Sequence, residues 1–238
     1  MGATRLGAQT VALERPPRVV SWGSIGGKAE AKGPLAQGFD MVNHDSFFGQ
    51  KTWEQAEVAM QKTALSTALT KGKLQPSALG YVLSGDLLNQ CVGASFAMRS
   101  FAVPFLGLYN ACATMGEGLG LGAMLISGGM AHHIAAMASS HFCGVERQYR
   151  TPMPYGNQRT PTAQWTATAA GCCILGTTGT NIAITHVTTG KVVDWGIKDA
   201  NNMGAAMAPG SVNLGPCPEN ATNQCQRTGL FDICVSIA

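Results

Sequence analysis

The chain is expected to be an α/β protein, a mixed sheet with helices on both faces. Apolar strand-like runs alternate with helix-like segments three times and are followed by two further β segments. Between Pro104 and Gly129 an apolar run leads through Cys112 into a segment that is small or apolar on every side, with Glu117 its one charge. A helix apolar all round is a buried helix. An acid, a thiol and an imidazole each follow a predicted strand, and sites on such sheets gather at the carboxyl ends of strands.

In chain order, Arg18–Trp22 reads as a strand, and the glycine-containing stretch 23–34 as a loop that lacks a full phosphate-binding pattern. Trp53–Lys71 reads as a helix. Ala56, Ala59, Met60, Thr63, Ala64 and Ala68 recur at three- and four-residue steps, with Glu54 and Glu57 at its start, Lys71 and Lys73 at its end, and Gly72 as its stop. Leu79–Leu83 is a strand, and Asp86 just beyond it is placed to cap a helix over Val92–Phe101. Pro104–Tyr109 is a short buried strand. The segment from Ala113 to Ser127 is a helix whose glycines at 116, 118, 120 and 122 make sense only if other backbone packs very close. Ile134–Ala138 is a strand, followed by Ser139, Ser140 and His141 and then the polar run Glu146–Arg150, either a pocket rim or a solvated loop. Residues 151–164 read as non-helical, and Trp165–Leu175 and Asn181–Val193 as two β segments.

Composition bounds function. Of 238 residues, 45% are apolar and only 12% charged, so much of the chain must be buried in itself or against partners. A net charge of +3 and the lack of basic runs give no support for nucleic acid binding. The eight cysteines form no CxxC pair and no Cys/His metal spacing. With no secretion-type apolar core at the N-terminus, reduced thiols and a cytoplasmic location are expected, and the Asn220-Ala-Thr222 sequon is a chance match. The longest apolar run, Leu119–Ala131, is shorter than the roughly 18–20 residues of a bilayer crossing, so membrane association would be peripheral or through a partner.

Cys112, at a helix N-terminus, stands where free N–H groups and the helix dipole favour a thiolate or a bound anion; the alternative is an inert buried thiol. Asp86, Cys112 and His141 would converge if their strands share one sheet.

An ordered set of motifs resembles the stage V sporulation protein AD family, within the thiolase-like superfamily. It comprises Gln50-Lys51-Thr52-Trp53-Glu54, Gly85–Gln90, Pro104-Phe105-Leu106, Ala111-Cys112 with the helix after it, Ser139-Ser140-His141, Glu146–Arg150, Tyr155-Gly156 and Met203–Pro209. The resemblance implies a thiolase-like fold, chiefly its N-terminal half, with a mixed five-stranded sheet and helices on both faces. Residues 1–195 would be that half, and 196–238 the start of the second half with a truncated and divergent tail. It implies a sporulation protein that binds dipicolinic acid (pyridine-2,6-dicarboxylate), with or without calcium, and is not an enzyme. Uptake of that compound into the forespore and its release on germination would proceed with the other membrane proteins of the stage V sporulation A operon, at the spore inner membrane. Carried over by position, the ligand-binding residues are Asp86, Cys112, His141 and Arg147, with no resident metal or cofactor.

The ligand is a flat aromatic dianion. Arg147 or Arg150 offers a bidentate fork for a carboxylate, His141 a hydrogen-bond donor and the Cys112 helix its N-terminus; each arginine serves a structural ion pair equally well. Asp86 would repel the bare dianion and fits as an orienting partner for His or Arg, or as a contact to bound calcium. Two rival readings stand beside this. One is a thiolase- or ketoacyl-synthase-like acyltransferase acting on a CoA thioester, with Cys112 as nucleophile and His141 as base. The other is a half-fold completed by a partner or as a homodimer, because the buried helix lacks its usual second-half cover.

Overall fold

The computed structural model describes residues 3–6, 8–87, 91–149, 166–190, 194, 196–198, 205, 225–228 and 231–237, with backbone alone for 146–149 and the last two segments. Its strands are β1 (Ala3–Arg5), β2 (Thr10–Leu13), β3 (Arg18–Gly26), β4 (Met41–Val42), β5 (Tyr81–Asp86), β6 (Phe105–Gly107), β7 (His133–Ser140), β8 (Ala169–Gly176), β9 (Ile182–Thr189), β10 (Cys225–Thr228) and β11 (Phe231–Ile237). The helices are α1 (Trp53–Gly72), α2 (Val92–Met98), α3 (Thr114–Ser127) and α4 (Phe142–Tyr149).

The strands form one mixed sheet in the order β1-β2-β9-β3-β8-β7-β5-β6, with β4 beside β3 and the β10–β11 pair joined to β9. The expected thiolase-like α/β architecture is present. The five long strands β9, β3, β8, β7 and β5 are its centre, and the short flanking strands widen it to eleven. Those flanking strands are two to four residues long or, like β11, lie in a tail whose sequence shows no αβ repeat, so they left little periodic signal.

Side chains alternate across the central strands and divide the core in two. Val82, Ala135, Met137, Ala170, Cys172 and Ile174 face one side, where they meet Ala56, Met60, Ala64, Leu65 and Ala68 of α1. Leu83, Ile134, Leu175 and Ile184 face the other, where they meet Ala123 and Ile126 of α3. Both layers are close-packed through small residues. A Cβ on Gly23 of β3 would run into the Ala64 carbonyl oxygen of α1. A Cβ on Gly118 of α3 would lie 3.2 Å from Leu108 and 3.3 Å from Ala136, and one on Gly122 would lie 3.3 Å from Ile134. The glycine-rich segment is therefore a helix, seated against the sheet as its composition requires.

Several local expectations are corrected. β3 runs on through Gly26, so the start of the expected loop 23–34 is strand, and Glu30–Lys32 is a 3₁₀ turn. Gly72 lies inside α1, and the left-handed cap is Lys73 at φ 52°, so glycine was not needed for the stop. The N-terminus of α1 is closed by Thr52, whose hydroxyl accepts from Gln55 N at 3.2 Å while Gln55 Oε1 accepts from Lys51 N at 3.3 Å. Among the described residues β6 is an edge strand, bonded to β5 alone, and Leu106 is 45% exposed rather than buried. The polar run expected as rim or loop begins inside α4. Residues 151–164 and 206–209 lie outside the described residues.

The Gly23 contact gives a sharp test. Gly23→Ala is expected to cost about 1–3 kcal/mol through overpacking against the α1 backbone. Gly38→Ala, with nothing within 4 Å of the added methyl, should stay within about 0.5 kcal/mol of the parent. Urea-unfolding midpoints of the two variants check this.

Candidate functional site

β6, β5 and β7 are neighbouring parallel strands, so their carboxyl ends open at the same edge of the sheet. Each predicted site residue with a described side chain stands at or just past one of these ends. Asp86 is the last residue of β5 and pairs in register with Ser139 of β7. Cys112 lies in the 3₁₀ turn Ala111–Ala113 that runs from β6 into α3. His141 directly follows β7. Arg147 falls on α4 and Arg150 beyond it; the side chain of the first and all of the second lie outside the described residues.

The same edge is held tight by Gly85. A Cβ there would strike the Leu108 carbonyl oxygen and come within 2.8 Å of the Thr114 methyl, so β5, the β6 exit and the start of α3 are pressed together. Cys112, two residues before Thr114, is thus tied to the strand that carries Asp86. The side chains are nonetheless placed differently. Cys112 is exposed, at the head of the helix on the α3 face. Asp86 and His141 are 3% and 1% exposed and stand on the α1 face. Asp86 Oδ2 accepts from Ala94 N at 2.9 Å in the first turn of α2. That is the capping role expected from sequence, delivered from a strand because Cys91, at the N-cap with φ 74°, makes no side-chain cap. Cys91 Sγ instead donates to Leu108 O at 2.8 Å, and burial, with Asp86 and Glu117 nearby, raises its pKa.

His141 is fixed by its neighbours. Its Nε2 lies 2.8 Å from Ser46 O, which can only accept, so that nitrogen carries the hydrogen. Its ring stacks on Trp53 at 6.4 Å, and Trp53 stacks on Phe47 at 6.1 Å. Burial lowers the imidazole's pKa, opposed by the Ser46 hydrogen bond and then by the Glu30 carboxylate.

Sequence reasoning missed a buried polar cluster between α1 and the strand ends. Ser139 Oγ donates to Glu57 Oε1 at 2.6 Å and accepts from Gln61 Nε2 at 2.6 Å. Ser84 Oγ lies 3.5 Å from Gln61 Oε1. Glu57, expected at the helix start as a dipole partner, is 1% exposed; burial, offset in part by the Ser139 hydrogen bond and aided by Asp86, pushes its pKa up to about 7. The missed signal was spacing. Glu57 and Gln61 fall on the stripe set by Met60, Ala64 and Ala68, so two polar residues sat on the core face. Beside this cluster a cleft of about 550 Å³ opens between α1 and α2, with Glu57, Asp86, Lys62, Phe96 and Arg99 on its wall. Of the predicted site residues, Asp86 lines this cleft; Cys112 and His141 do not. Among the described residues, no group of three or more His, Cys, Asp or Glu side chains is arranged to hold a metal ion.

The model of the family described as stage V sporulation protein AD matches residues 7–233 of this chain. Stage V sporulation protein AD of Bacillus subtilis (strain 168) is 40% identical over 207 residues, covering 87% of this chain and 61% of that protein. The chain therefore spans about three fifths of that relative's length. Among solved structures, a type III pentaketide synthase from Neurospora crassa matches with a TM-score of 0.54 at 11% identity, over 75% of this chain and 62% of that one. OleA of Xanthomonas campestris matches with a TM-score of 0.54 at 11% identity, over 83% and 68%. These likenesses show the fold.

Glu57 makes stability depend on pH. Its folded-state pKa of about 7 stands above the ordinary 4.5, so the folded form binds the proton more tightly than the unfolded chain. Stability from this group is full below about pH 4.5 and falls as pH rises through about 7, by about 3 kcal/mol in all. Glu57→Gln, neutral throughout and still able to accept from Ser139, should flatten that decline; urea midpoints measured from about pH 5 to about pH 8 read it directly.

Proposed function

The chain belongs to the stage V sporulation protein AD family, and from that premise we propose that it binds dipicolinic acid at the carboxyl ends of β5, β6 and β7. The observation that carries the reading is the meeting of three parallel strand ends at one edge, bearing the positions the family resemblance assigns to the ligand. In this reading Arg147 supplies donors and charge to the carboxylates, His141 becomes a charged donor only when protonated at Nδ1, the turn at Cys112 contributes N–H groups from the start of α3, and Asp86 orients the α2 terminus. Calcium, where it accompanies the ligand, arrives with it. The chain then serves uptake of the compound into the forespore and its release on germination, with the membrane proteins of the stage V sporulation A system and at the periphery of the spore inner membrane. Among the described residues no helix is long and apolar enough to cross a bilayer. Residues 1–195 act as the N-terminal half of a thiolase-like unit and 196–238 as the start of the second.

Acyl transfer through Cys112 is the weaker reading. A nucleophilic thiol needs a base within hydrogen-bond reach. His141 is buried on the α1 face with Nε2 already on Ser46 O, whereas Cys112 is exposed at the head of α3.

Titration calorimetry with dipicolinate, with and without calcium, tests the proposal. Binding is expected in the parent, weakened at least about tenfold in His141→Ala and in Arg147→Ala, since each removes a charge-assisted contact. Absence of binding by a folded parent rejects it. Intact mass after incubation with acyl-CoA should show no adduct, and an adduct lost in Cys112→Ala would favour the acyltransferase.

A further inference from the structure

The cleft of about 550 Å³ between α1 and α2 changes character with depth. Innermost on its wall are Glu57 and Asp86, 1% and 3% exposed. Val92 and Phe96, 50% and 56% exposed, line it further out. Arg99 is exposed at the mouth, its Cζ 5.9 Å from the Phe96 ring centroid, and Lys62 of α1, half-buried, shares the wall. Gly93 leaves the inner end approachable, since a Cβ there would lie 3.2 Å from Asp86 Oδ2.

Glu57 carries an unmet hydrogen bond at the inner end. Its Oε1 accepts from Ser139 Oγ at 2.6 Å. Its Oε2 makes no hydrogen bond and no ion pair among the described residues. It is not one of the sealed polar atoms that lack a partner, so it opens on the cleft whose wall Glu57 forms. A carboxyl oxygen at that depth is costly to leave without a donor. An ammonium group answers it best, because its charge strengthens the hydrogen bond. The apolar stretch at Val92 and Phe96 suits an uncharged body, and the cations at Arg99 and Lys62 suit an anionic far end. We propose that this cleft is a second ligand site, taking a molecule with a primary amine at one end, a flat apolar body and a carboxylate at the other, the ammonium group donating to Glu57 Oε2 and the body lying against Phe96. The site does not depend on the dipicolinate reading. No covalent bond forms or breaks; the proton that Glu57 gives up passes to solvent.

The described side chains around Glu57 set the sign of its pH dependence. Burial opposes its ionisation, Ser139 of β7 favours it by donating a hydrogen bond, and Asp86 of β5 opposes it. Glu54 and Lys62 line the cleft from α1 and Arg99 from α2, and no ion pair joins Lys62 or Arg99 to Glu57. Without a bound cation Glu57 is therefore half ionised at about pH 7. An ammonium group on Oε2 supplies positive charge and favours the carboxylate. Proton and amine then compete, so affinity is low below about pH 7 and rises as pH passes through it.

Titration calorimetry on the full chain tests the site, with para-aminomethylbenzoate as the probe and benzylamine and benzoate as its two halves. The parent is expected to bind the probe, benzylamine more weakly and benzoate least. Affinity for the probe should rise about tenfold from about pH 5.5 to about pH 7.5 as Glu57 ionises. Glu57→Gln, which still accepts from Ser139, should lose that rise and bind the probe about tenfold more weakly at about pH 7.5. Phe96→Ala, a change at an exposed position, should also weaken binding. A folded parent that does not bind the probe overturns the proposal, as does benzoate binding as tightly as benzylamine. A rise with pH that survives in Glu57→Gln overturns it too, because the amine would then sit on another group. Dipicolinate binding, present or absent, leaves these outcomes as they stand.

Discussion

Close approach of backbone to backbone governs this structure. α1 and α3 lie on opposite faces of the sheet with little side-chain volume between them. Gly23 meets the Ala64 carbonyl on one face, and Gly118 and Gly122 meet Ala136 and Ile134 on the other. Ala56, Ala64, Ala68 and Ala135 are fully buried beside them. Packing of this kind tolerates almost no added volume, because interiors are already near crystal density. It also carries the helices far enough onto the sheet for their ends to reach the strand ends, where the polar chemistry lies.

That reach explains why the polar groups are buried. Glu57 and Gln61 sit on the sheet-facing stripe of α1, over the point where β7 turns from Met137 to Ser139. The core therefore ends in a hydrogen-bonded layer, Ser84, Ser139, Gln61 and Glu57, before it reaches His141. A carboxyl group there survives burial by remaining protonable and by receiving a hydroxyl donor. The Asp86 carboxylate, next in the same edge, survives by accepting from the α2 terminus. Each acid is thus held by a different device within one patch.

Much of the fold was legible because its central elements carry strong periodicity or strong composition. The stripe of small residues marked α1 within a residue of its true bounds, and a segment with glycine at alternate positions could be a helix only if deeply packed. The three strand ends were legible too, since Asp86, Cys112 and His141 each follow an apolar run. What escaped had a physical reason. The edge strand β4 is two residues long and half solvated, so neither alternation nor continuous apolarity marks it, and nothing local showed that β6, expected as a buried strand, lies exposed at the edge. Glu30 lies in a 3₁₀ turn more than a hundred residues from the start of α4, and Thr168 bridges the two by accepting from Phe142 N and donating to the Glu30 carboxyl group. No local pattern encodes a contact of that span. The opposite placement of Cys112 and His141 about the sheet was likewise invisible, because strand order fixes which ends are neighbours but side-chain parity fixes which face they take.

The stacked series Phe47, Trp53 and His141 has a spectroscopic consequence. An indole lying nearly parallel to an imidazole, 6.4 Å between centroids and 22° between planes, is close enough for a charged ring to withdraw its excited-state energy. Emission from Trp53 would therefore dim as that neighbour gains a positive charge and brighten as it loses one. With the other three tryptophans replaced, Trp53 would serve as a built-in optical gauge of the electrical state of the strand edge, without any attached dye.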